Sequence, residues 1–193
     1  ERIKLAIWQT SIPVRERFSK NLNSQINKDL QEALIKAKQL GASYLLAPEG
    51  TLMANQDLLE EASIPLITGG FRFKDSSLRS SILSFNQGEK VFSDFIDKHR
   101  LVPLGEWLPS WLGNLSKGLS AVGGVEPGKA SRYFSWPGPD FVGAICYEIS
   151  DGISVREAVK EGAGWILAIA NLDPYPLSLQ RQFVALSQLR SIE

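Results

Sequence analysis

A chain of 193 residues is long enough to form one domain with its own apolar core. Its 21 Lys and Arg balance its 21 Asp and Glu, a composition that offers nothing to a nucleic-acid partner or a polybasic membrane patch. One histidine and one cysteine make a poor metal-ligand supply and exclude an internal disulfide, and no run approaches the ~20 apolar residues that cross a bilayer.

Ile3 to Gln9 alternates before Ser11 and Pro13, which predicts a buried strand and a turn. From Ser19 to Leu40, Leu22, Ile26, Leu30, Leu34, Ala37 and Leu40 recur every three or four residues, and Gly41 follows: an amphipathic helix with its stop. Tyr44 to Ala47 reads as a short apolar strand ended by Pro48 and followed at once by Glu49. Strands expected at Pro65 to Phe73, Ser81 to Asn86 and Lys90 to Phe95 form an antiparallel meander.

Leu101 to Val125 carries Trp107, Trp111 and many leucines without a period, and a connection of that length points to a lid or binding loop. Its apolar residues read either as core or as a lipid-facing surface with tryptophans at headgroup level. A strand at Phe141 to Ile145, a helix near Ile153 to Glu161, a strand at Trp165 to Ala170 and a helix from Leu177 onward complete the pattern. Alternating strands and helices at both ends predict helices layered on sheets. The chain begins at Glu1 without a signal-peptide pattern and stops at Glu193 inside a helix-like stretch, so residues 1–193 are expected to be a single domain of a larger protein.

The single cysteine, Cys146, stands where the run Phe141 to Ile145 enters a polar, glycine-ended turn. Taken alone it reads as a small buried hydrophobe as readily as a nucleophile. Glu49 and Lys98 share its context, each lying just beyond an apolar strand-like run, and in layered α/β folds strand ends converge on a crevice. A carboxylate can take a proton from a thiol, and an ammonium can stabilise a thiolate and an oxyanion. His99 adjoins Lys98 but points to the other side of an extended stretch, and Asp94, Asp97 and Arg100 read as solvated or structural.

The stretches APEGT (47–51), DKHRLVPLGEWLP (97–109), AICYEI (144–149) and QLRSIE (188–193) resemble, in order, the signatures of the nitrilase, or carbon-nitrogen hydrolase, superfamily. HRLVPLGEWLP and CYEI are most similar to its branch of bacterial apolipoprotein N-acyltransferases. The resemblance implies an αββα four-layer sandwich whose C-terminal strands lie outside this chain. It implies a Glu49, Lys98 and Cys146 triad, supporting Glu106 and Glu148, and substrate-facing Trp107, Trp111, Tyr147 and Tyr175. It also implies no cofactor or metal. The expected donor is a phospholipid and the expected acceptor an apolipoprotein, at the extracytoplasmic face of a bacterial inner membrane. A soluble amidase or carbamoylase with the same triad, and an inactive scaffold of the same fold, are the alternatives. Where the superfamily commonly carries N-D-x-W-F, this chain reads Asn171-Leu172-Asp173-Pro174-Tyr175, which alters one expected wall of the pocket.

Overall fold

The computed structural model describes residues 3–10, 20–102, 106, 125–173 and 175–193, with the side chains of residues 20 and 21 left aside. A sheet of five strands has the order β1 (Leu5–Ile7), β2 (Tyr44–Leu46), β3 (Leu66–Lys74), β4 (Ser77–Phe85) and β5 (Asp94–Asp97). A sheet of three strands contains β6 (Tyr133–Phe134), β7 (Phe141–Ile145) and β8 (Trp165–Ile169). Helices α1 (Lys20–Gln39), α2 (Gly152–Lys160) and α3 (Leu177–Arg190) complete the described elements, together with a 3-10 turn at Cys146–Ser150.

Three apolar clusters define the layers. Leu30, Leu34 and Ala37 of α1 pack on Leu45, Leu66, Leu83 and Phe85, one face of the larger sheet. Its opposite face, with Leu46, Ile67, Ile82 and Ile96, meets Phe134, Phe141, Ile145, Leu167 and Ile169 of the smaller sheet. Val142, on the far face of β7, packs against Val155 and Ala158 of α2. The order is helix, sheet, sheet, helix, as the resemblance implies. Alternation along each strand produces it, since neighbouring residues such as Leu45 and Leu46 serve opposite layers.

The helix α1 stops as its sequence predicts: Gly41 sits at φ +70° and the Ala42 N–H donates back to the Ala37 carbonyl at 3.0 Å. Two expectations shift. The strand β1 is not buried, because it is an edge strand paired only with β2, and Leu5 and Ile7 are exposed. The strand β5 starts four residues later than the expected Lys90, because Lys90 and Glu89 turn their carbonyls to the Leu58 and Ala62 amides instead. β3 and β4 run on to a two-residue hairpin in which Asp75 and Ser76 both take positive φ, 49° and 67°, the primed turn that matches strand twist.

β2 and β3 are parallel, and β3, β4 and β5 are successively antiparallel, so β2 and β5 end at the same edge of their sheet. That edge carries Glu49 and Lys98. Leu34 is wholly buried between α1 and the sheet. Leu34→Ala should cost about 2–5 kcal/mol, measured as an earlier denaturant-unfolding transition.

Candidate active site

Glu49 leaves β2 through Pro48 in a turn stitched to β3. The Thr51 and Leu52 amides donate to the Gly69 carbonyl at 2.9 and 3.2 Å, the Gly69 amide donates to the Pro48 carbonyl at 3.1 Å, and the Thr51 hydroxyl donates to the same carbonyl at 2.8 Å. Only glycine fits at 69, since a Cβ there would stand 2.4 Å from the Glu49 Cα. Glu49 Oε2 accepts from the Asn171 amide at 3.0 Å, and Oε1 lies 3.4 Å from Lys98 Nζ.

Lys98 follows β5. Its amide donates to the Ser80 carbonyl at 2.7 Å and its carbonyl accepts from the Gly128 amide at 2.8 Å. Gly128 again permits close approach, because a Cβ would lie 2.4 Å from the Asp97 Cβ. The Lys98 side chain has 0% exposure and its Nζ donates to Glu106 Oε1 at 2.7 Å. Glu106 Oε2 in turn accepts from the Val102 amide at 2.9 Å. Burial pushes the Lys98 ammonium toward deprotonation, but attraction to Glu49, Glu106 and Cys146 outweighs it and leaves the pKa above the ordinary lysine range.

Cys146 opens the 3-10 turn after β7 with φ +56°, a left-handed conformation that costs a non-glycine residue roughly 1–2 kcal/mol. Outliers of this kind gather at functional sites. The residue is 6% exposed. Burial pushes its thiol up from 9.0 to about 12, Glu49 and Glu106 add to the rise, and Lys98 opposes it. These mutual influences put Glu49, Lys98, Glu106 and Cys146 in one electrostatic neighbourhood. Tyr175 joins it, since its phenol is pushed up by burial first and then by Cys146.

Glu148 is held elsewhere. Its carboxylate accepts from the His99 and Arg100 amides at 2.7 and 3.0 Å and from the Ile145 amide at 3.0 Å, and it pairs with Arg132. Tyr147 packs against the core between the sheets. His99 directs Nδ1 to the Gly128 carbonyl at 2.9 Å, and Asp97 is occupied by Arg72 at 2.6 Å, in keeping with the structural roles expected for both. Trp107 and Trp111 lie outside the described residues. Sequence reasoning missed Arg132 and the Asn171 amide. Arg132 sits in no spacing pattern, and although Asn171 opens the stretch set against N-D-x-W-F, a backbone donor carries no signal in residue type.

No family model matches the chain. Two apolipoprotein N-acyltransferases from strains of Prochlorococcus marinus are 56% and 54% identical over 190 and 191 residues, covering 98% and 99% of this chain. One from Thermosynechococcus vestitus is 30% identical over 206 residues, with 100% of this chain covered. The chain spans 38% of the length of the Prochlorococcus relatives and 40% of the Thermosynechococcus one. Among solved structures, a branch 10 nitrilase-superfamily member of Saccharomyces cerevisiae matches 97% of this chain and 70% of its own at a TM-score of 0.63 and 14% identity. An amidase of that superfamily from Nesterenkonia matches 87% and 64% at 0.59 and 15%.

The chain belongs to the apolipoprotein N-acyltransferase family and has the nitrilase fold. The resemblance carried by the four motifs therefore holds at both levels, in sequence to relatives named apolipoprotein N-acyltransferase and in architecture to the nitrilase superfamily.

Opposed charges around one thiol define a titration test. Glu49→Gln should lower the Cys146 thiol pKa from about 12 and Lys98→Met should raise it, read as ultraviolet thiolate absorbance against a Cys146→Ser blank. The raised thiol pKa also sets a stability window. An unfolded chain loses this proton near 9.0 and the folded one near 12, so the thiol's contribution is intact below 9 and disappears as pH climbs toward 12.

Proposed function

We propose that this chain is the catalytic domain of an apolipoprotein N-acyltransferase, with Cys146 as nucleophile, Glu49 as general base and Lys98 as oxyanion stabiliser. The carrying observation is a buried ammonium gathered with two carboxylates and a strained thiol, in a chain 56% identical to a relative of that name.

The thiol is protonated at rest, so Glu49 removes the proton as Sγ attacks the ester carbonyl of a phospholipid acyl chain. A new C–S bond forms and the carbonyl π pair moves onto oxygen, where the Lys98 ammonium stabilises it. Collapse breaks the ester C–O bond, and Glu49 returns its proton to the departing lysophospholipid oxygen. The product is an S-acyl thioester. In the second half, the α-amine of a lipoprotein's N-terminal diacylglyceryl cysteine attacks the thioester carbon and yields its proton to Glu49. Collapse then breaks the C–S bond, and the sulfur recovers the proton. Glu106, bound to the same ammonium at 2.7 Å, keeps Lys98 charged and aimed throughout.

This reading puts the domain at the extracytoplasmic face of a bacterial inner membrane, where donor and acceptor both reside. Among the described residues no helix is long and apolar enough to cross a membrane. Tyr147 and Tyr175 are proposed to line the path of the acyl chain.

Intact-mass analysis of the full-length protein after exposure to phospholipid should find one fatty-acyl increment on Cys146 that hydroxylamine removes. Cys146→Ala should acquire none, and normal transfer by Cys146→Ser would refute the mechanism. Adduct formation followed by release of free fatty acid, with no transfer to amine, would refute the transferase reading and assign a hydrolase with water as acceptor. Lys98→Ala should slow S-acylation about a hundred- to a thousand-fold, the usual loss for one oxyanion donor.

A further inference from the structure

The pair formed by Arg132 and Glu148 lies apart from the group that surrounds the thiol, yet it touches both segments that deliver it. Both side chains are almost fully enclosed, at 4% and 2% exposure. Arg132 Nη1 donates to the two Glu148 oxygens at 3.1 and 3.0 Å, Nη2 donates to the Asp97 carbonyl at 2.8 Å and to the Lys129 carbonyl, and Nε donates to the Ser131 carbonyl at 2.9 Å. Glu148 passes the restraint on, accepting from His99 and Arg100 with one oxygen and from Ile145 with the other.

The residues so held are adjacent to the reacting ones. Asp97 and His99 flank Lys98, and Ile145 precedes Cys146. A buried ion pair is no guarantee of stability, because apolar residues of equal volume often serve as well. What an apolar pair cannot do is fix two backbone segments, from different sheets, at a set separation. The planar guanidinium, with five donors in a rigid fork, suits that task, whereas a lysine reaches one point.

We propose that Arg132 is a positioning residue for the acylation chemistry: acting through Glu148, it sets the spacing between the backbone that carries Lys98 and the backbone that carries Cys146. The proposal rests on the catalytic reading above for its kinetic consequence, but not for its structural one.

The test uses the full-length protein with Arg132→Lys and Arg132→Gln. The first keeps the charge and so accommodates Glu148 even if the second fails to fold. Single-turnover S-acylation should fall about 10- to 100-fold, the scale of an ångström-level misplacement, with KM for phospholipid changed less than about threefold. Hydrogen exchange should accelerate about tenfold or more in peptides spanning 97–100 and 144–146 and stay unchanged in α1. Wild-type S-acylation rates in the folded variants would overturn the proposal. So would a rate loss without faster exchange at those amides, or an acceleration shared equally by α1, which marks general destabilisation. If the wild-type protein forms no thioester, the catalytic reading falls, and exchange alone then decides the spacing role: faster at the two segments supports it, unchanged refutes it.

Discussion

The Lys98 ammonium is taken wholly out of water, and an isolated charge so placed would cost far more than the fold could bear. Two carboxylates, Glu49 and Glu106, offset that cost, and each is itself tied down by a backbone amide, from Asn171 and Val102. One buried cation thus gathers the chain after β2, after β5 and after β8. The same grouping leaves two negative charges facing one positive charge, and a thiolate would add a third negative. This imbalance, with burial, is why the Cys146 proton is held so high in pH. Keeping the resting thiol neutral protects it from adventitious alkylation and oxidation, which follow thiolate character.

Architecture supplies the convergence. β2 and β5 run in the same direction and end at one edge of the larger sheet, while β7 brings Cys146 in from the smaller sheet that packs face to face with it. Two glycines make the final approach feasible. Gly69 lets the Glu49 turn lie against β3, and Gly128 lets the following segment close over the carbonyl of Lys98.

Most elements were legible because their periods match their layers. The α1 stripe of Leu30, Leu34 and Ala37 faces one layer only, and the unbroken apolar run of β7 serves two. Errors arose where pairing, not hydrophobicity, decides structure. Val91 is apolar but exposed, and β5 is positioned by its register with β4, so the apolar run misplaced the strand. β6 is two residues long and too short to show a period. At the candidate site, Glu49, Lys98 and Cys146 were legible through side-chain type next to strand ends, and Glu106 and Glu148 through the family motifs alone. Arg132 was not, because its partner lies 16 residues away across a sheet and neither residue type nor spacing marks the pair.

Geometry also separates the work of the three glutamates. Glu148 spends its oxygens on three backbone amides and a guanidinium, all fixed donors, an arrangement that fits a tie between segments. Glu106 holds the ammonium at 2.7 Å and the Val102 amide at 2.9 Å, an arrangement that fits a permanent counter-ion. Glu49 meets the same ammonium at 3.4 Å, a longer contact than that of Glu106. It also exerts the strongest charge effect on the thiol of any group around it. A carboxylate whose charge bears most on the thiol is what a base needs, and this ranking supports the proposal of Glu49 for proton transfer and Glu106 for charge support.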